Sequence, residues 1–168
     1  VALTLLIARE LQTRLTRDAQ GIDLVVGAKG SPLQIVLAGV YHVDVPPGNI
    51  PLSAIATLRR NSLVAQVIPL ALGDSHRGYP VLATTAGYFE HFRYGDQQPL
   101  ALAQGRPFAG DRDGLYDVVL GAEVARALGY RVGDRLTLSH GGGEMPGSAH
   151  ADKPFTVVGM LQRTGTPV

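Results

Sequence analysis

Helical and strand-like stretches follow one another along this chain without strict alternation. That order favours an α+β fold, a mixed sheet with packed helices, over a doubly wound parallel sheet. Leu5, Leu11 and Leu15 fall near helical spacing with Arg9, Arg14, Arg17 and Asp18 elsewhere, so residues 1–19 read as one helix that ends near Gly21. "IDLVVG" then reads as a short, largely buried strand. Ser31 to about His42 reads as a helix, "VDVPPGNIP" as a rigid loop, and Ser53 to about Arg60 as a helix with Ser53 at its N-cap. Leu63–Leu72 and Tyr79–Thr85 are strand-like, the former rich in β-branched residues. Further on, "YDVVLG" reads as a strand and "AEVARALGY" as a short helix closed by Gly129. "RLTLSH" and "FTVVGMLQR" read as two alternating strands, with "GGGEMPGSAHADKP" between them as a mobile or contact loop.

The chain has 168 residues, which fits one domain or one domain with an inserted lobe. That length buries roughly 70% of the unfolded surface, so no metal or disulfide is required for stability. A formal net charge of +1 with scattered Lys and Arg gives no nucleic-acid footprint. The absence of cysteine excludes a disulfide or thiolate-metal framework. The apolar run Val1–Ala8 is too short for a bilayer, which takes about 20 residues. It is either an ordinary buried first helix or the end of a membrane helix. The start without methionine suits a piece of a larger protein.

"DLVVGAKGSP" has the look of a phosphate loop and fails the test. A Walker A loop places lysine after its second glycine, whereas Lys29 precedes Gly30. The Rossmann glycine pattern is missing as well. Ser31 followed by Pro32 is instead an N-cap with proline at the first helical position. No nucleotide or other cofactor is expected.

His42 and Asp44 lie two apart, on one face if extended, but no third metal ligand is local. His140, Glu144, His150 and Asp152 lie in or beside the glycine loop, where ordering costs entropy, so no metal is expected. Ser31, His42 and Asp44 can be drawn as a hydrolase triad, yet the serine is used as a cap and the G-x-S-x-G elbow is absent. "LGYRVGDRLTL" carries a turn at Gly133 and Asp134 and two leucines, Leu136 and Leu138, that face one way, which is packing rather than chemistry.

"GIDLVVGAKGSPLQIVLAGVYHVDVPPGNIPL" (Gly21–Leu52) resembles the segment that follows the first membrane helix in ABC-transporter permeases of the MacB/FtsX type. "DVVLGAEVARALGYRVGDRLTL" and "FTVVGMLQRTGTPV" are similar to later parts of the same extracytoplasmic core domain, in the same order. The resemblance implies that residues 1–20 are a juxtamembrane helix, the end of a membrane helix. It implies that 21–168 form a periplasmic core domain of two lobes, the second inserted at roughly 75–153. It further implies a cytoplasmic ABC ATPase partner, a periplasmic adaptor or substrate protein, a permease dimer and a place at the inner membrane.

On this reading the domain is non-catalytic and couples ATP hydrolysis to export, extraction or signalling. The alternatives are a small soluble hydrolase and a stand-alone ligand-binding module. The expected contact surface is the loop Tyr41–Asn49, with Tyr41, His42, Asp44, Pro47 and Asn49 as its contact residues. Pro46 and Pro47 limit that loop's freedom and so lower the entropy cost of binding. Tyr41 supplies amphipathic contact area.

Overall fold

The computed structural model describes residues 2–110, 114–140 and 153–165. The glycine-rich loop expected to be mobile lies, but for its last residues, outside the described residues.

The first helix, α1, spans Ala2–Asp18, close to the expected range. At 1.5 Å per residue it is about 25 Å long. Leu3, Ile7, Leu11 and Leu15, spaced by four, form one stripe along it, and all four are at least half exposed. Among the described residues no helix is long and apolar enough to cross a membrane.

The next segment departs from expectation. Ile22–Gly27 belongs to no sheet, and Leu24 is 70% exposed rather than buried. Its β-branched residues suit a strand, but a strand needs a ladder partner and this one has none among the described residues. Helix α2 runs over Pro32–Gly39. Ser31 stands at its N-cap with extended backbone, and its carbonyl accepts the Ile35 N–H at 3.1 Å, while its side chain makes no cap hydrogen bond. Helix α3 covers Ser53–Arg59, so Ser53 is its first helical residue rather than its N-cap; Leu52 precedes it with αR backbone angles and no side chain caps the helix.

Two sheets follow. In the first, β1 (Ala71–His76) and β2 (Tyr79–Ala83) form a hairpin. Arg77 and Gly78 make its two-residue turn, both with positive φ (48° and 81°), as a type I′ turn requires. The expected strand over Leu63–Leu72 is therefore displaced: pairing starts only at Ala71, beyond Pro69, whose ring nitrogen has no proton to give a ladder. Helix α4 (Gly87–His91) leads into a short hairpin of β3 (Arg93–Tyr94) and β4 (Gln98–Pro99).

The second sheet is mixed and centres on β9 (Phe155–Leu161). β9 runs antiparallel to β5 (Leu102–Gly105) and parallel to β6 (Asp117–Leu120). Helix α5 (Ala122–Leu128) follows β6 and ends at Gly129 in the left-handed region (φ 70°), as expected. "RLTLSH" is not one strand. Its first part, β7 (Arg135–Leu136), pairs with β9, while its last two residues, β8 (Ser139–His140), cross to β1 in the other sheet. Leu136 at the end of β7 and Leu138 just before β8 are both buried in one core cluster, so the crossing stitches the two sheets over one core. His76 holds the crossing point, its Nδ1–H donating to the Thr137 carbonyl at 2.7 Å while the Tyr130 hydroxyl lies 3.0 Å from Nε2.

The core is built from Leu120, Ala125, Leu136, Leu138, Val157 and Met160, with Tyr130 and Phe155 packed around it. Val157 is completely buried. Among the described residues, Ala38 and Val40 are the buried apolar residues from the part of the chain before α4. The fold is thus α+β, with its apolar core in the later strands and an N-terminal half that leaves much apolar surface open.

Candidate functional site

The loop Tyr41–Asn49 folds back on the elements before it. The Val43 N–H donates to Leu37 O at 3.2 Å, and Gln34 Nε2 donates to Val45 O at 3.0 Å, so α2 grips the loop from both sides of Asp44. Asp44 Oδ1 accepts the Val45 N–H at 2.7 Å. Pro47 lies against Gly30: a Cβ on that glycine would sit 2.6 Å from the proline Cβ. This explains the glycine in "GAKG" without a ligand, since only a residue lacking a side chain lets the proline ring approach so closely. His42 takes a left-handed backbone conformation (φ 53°), uncommon outside glycine, and is half-buried. Asn49 is exposed.

Tyr41 reaches elsewhere. Its hydroxyl donates to the Leu15 carbonyl, near the end of α1, at 2.9 Å. Two further segments meet α1 there. Arg17 Nη2 donates to Gly165 O at 3.3 Å, from beyond β9. The β3–β4 turn packs from another direction, with Gly95 next to the Arg17 stem and Gln97 next to Gly21. Gly95 and Gln97 both have positive φ, which bends this turn tightly enough to fit. Arg17 and Asp18 form an ion pair at 3.6 Å, with the Asp18 side chain almost covered. A shallow depression along α1, lined by Arg9, Thr13, Thr16, Arg17, Gln20 and Asp96, adjoins this junction.

The base of α1 is therefore clasped by three segments far apart in sequence. Of the expected site residues, Tyr41 takes part in the clasp, and Asp44 and Pro47 stiffen the loop behind it. Arg17, Gly95, Gln97 and Gly165 were not legible as partners. The sequence signal available was the turn-forming "YGDQQP", which says that a turn exists but not what it touches.

Elsewhere, His140 Nδ1 lies 2.6 Å from Asp74 Oδ1, fastening β8 to β1. Among the described residues no group of three or more His, Asp or Glu is placed to hold a metal, and Glu144, His150 and Asp152 lie outside them. Glu123 accepts from Arg126 at 2.7 Å and faces Arg163 at 3.0 Å. The Arg126 hydrogen bond, with both arginine charges, holds the exposed Glu123 carboxyl below its usual range.

The model of the MacB-like periplasmic core domain family matches residues 7–167, nearly the whole chain. The chain belongs to that family, and so is a periplasmic domain of the ABC-transporter permease type. Permease domains of this family are not themselves enzymes. No curated protein and no solved structure gives a significant match.

Proposed function

We propose that this domain is a mechanical element of an ABC-type permease, coupling ATP hydrolysis by a cytoplasmic ATPase to export, extraction or signalling outside the inner membrane. The observation that carries the reading is the clasp at the base of α1. A domain moved from the membrane needs a stiff joint with the helix that enters it. Here Tyr41, Arg17 and the β3–β4 turn brace that helix against the body. The exposed stripe Leu3, Ile7, Leu11 and Leu15 suits a helix that continues from a membrane span.

The same reading takes residues 1–20 as the juxtamembrane helix and 21–168 as the core domain, with a second lobe inserted at roughly 75–153. In its support, Arg17 and Gly165 bring the two flanks of the domain side by side, as a domain set between two membrane helices needs. It also includes a permease dimer, and a periplasmic adaptor or substrate protein that meets Tyr41, His42, Asp44, Pro47 and Asn49. The rigidity of that loop, braced by α2 and Gly30, supports the contact.

The experiment is made in the full-length transporter. Deleting the domain should abolish transport while the ATPase still assembles, and normal transport after deletion sinks the mechanical role. His42→Ala with Asn49→Ala, which spares the Tyr41 bond to α1, should reduce transport at normal expression. Unchanged transport in that variant removes the contact surface alone.

A further inference from the structure

The most exposed large apolar side chains described in the chain, Leu63 at 91% and Leu52 at 83%, bracket α3. That helix turns Ala54, Ile55 and Leu58 toward the body and leaves Leu52, Ser53, Ala56, Thr57, Arg59 and Arg60 outward. Leu52 and Arg59 are seven residues apart and share a helical face. Leu63 is held in place by Asn61, whose Oδ1 accepts the Leu63 N–H at 3.0 Å. Arg60 donates to the Thr57 hydroxyl at 3.5 Å, and among the described residues neither arginine meets a carboxylate. No Asp or Glu occurs between Asp44 and Asp74, so the two charges are uncompensated by their own stretch of chain.

We propose that this outward face of α3 is a membrane-contact surface, two protruding leucines around two arginines, that docks on anionic phospholipid headgroups. The side chains decide the occupant. Protein-binding hot spots favour Trp, Tyr and Arg and under-use Leu; no aromatic residue lies between Leu52 and Leu63. Aliphatic tips beside arginine suit a bilayer interface, where the leucines enter the acyl boundary and the guanidinium groups stay with phosphate. A second copy is disfavoured because two identical basic faces repel. The proposal rests on the reading that the domain stands beside a membrane, but its test uses vesicles without a transporter, so failure here leaves the transport reading standing.

The test is flotation of the whole chain with vesicles of phosphatidylcholine alone and of phosphatidylcholine mixed equally with phosphatidylglycerol. Light scattering of the free chain runs alongside. Stronger binding to the anionic vesicles is expected. Arg59→Gln with Arg60→Gln should weaken it by about tenfold, with less salt sensitivity, and Leu52→Ser with Leu63→Ser by about tenfold in both lipids. Both variants keep the apolar stripe of α1, so wild-type binding in both would assign all membrane affinity to α1 and overturn the proposal. No binding by the parent chain would also overturn it. So would a leucine variant that changed only the chain's oligomeric mass, since that outcome gives the face to a second copy.

Discussion

Arg17 donates to the carbonyl of Gly165 at 3.3 Å, across 148 positions of sequence. The bond is long and Arg17 is partly exposed, so alone it contributes little. Its meaning comes from company: the Tyr41 hydroxyl on Leu15 and the β3–β4 turn fix the same last turns of α1. A joint made of several weak contacts from separate segments resists bending in several directions while leaving the fold's stability to the core.

Removing one contact should therefore cost little globally. Tyr41→Phe is expected to lower unfolding free energy by about 0.5–1 kcal/mol, the net value of a partly exposed hydrogen bond. Urea denaturation measures it. Hydrogen exchange should show faster opening of amides in the last turns of α1, with β9 unchanged.

Gly30→Ala is expected to be worse than its small size suggests. The added methyl meets the Pro47 ring at 2.6 Å, and a proline ring has little freedom to move away. Overpacking of this kind costs about 1–3 kcal/mol. The damage should localise, so limited proteolysis should find a new cleavage site within the loop Tyr41–Asn49 before the core is lost.

Tyr88→Phe should stabilise the protein. Tyr88 is buried and stacked on Phe92 at 4.8 Å, and among the described residues its hydroxyl has no hydrogen-bond partner. An unmet buried hydroxyl costs about 1–3 kcal/mol, so a gain near 1 kcal/mol is expected at neutral pH. Burial raises the hydroxyl's pKa well above its ordinary value, so the folded state holds the neutral phenol. The stability linked to that proton is complete below about pH 10, where the unfolded chain's tyrosine titrates, and falls as pH rises toward the folded value. Phenylalanine cannot ionise, so a pH series of melting temperatures should show a shallower alkaline decline in the variant.

The sequence made the later half of the fold readable because its elements are locally self-sufficient. α5 has a helical pattern and a glycine end, and β9 was readable as a strand, though not as an alternating one: Val157–Met160 are buried in succession because the strand lies at the centre of its sheet. Pairing was less readable. Ile22–Gly27 and Leu63–Leu70 have strand composition, but a strand exists only with a partner, and composition names none. "RLTLSH" read as one strand because its alternation is unbroken, while the chain changes sheets between Leu136 and Ser139. At the candidate site, the stiffness of the proline loop was legible from Pro46 and Pro47. The Tyr41 bond to Leu15 and the Arg17 bond to Gly165 were not, since contacts across such separations leave no mark in either segment.

The central claim, that ATP turnover moves this domain through α1, is tested most directly by electron–electron distance measurement in the full-length permease. Spin labels go on the exposed Val132 of each copy in the membrane, with and without ATP and magnesium. The distance distribution is expected to shift with ATP in the parent protein, and to broaden and lose that shift when Arg17→Ala and Tyr41→Phe release the clasp. Identical distributions with and without ATP in the parent would contradict the mechanical role.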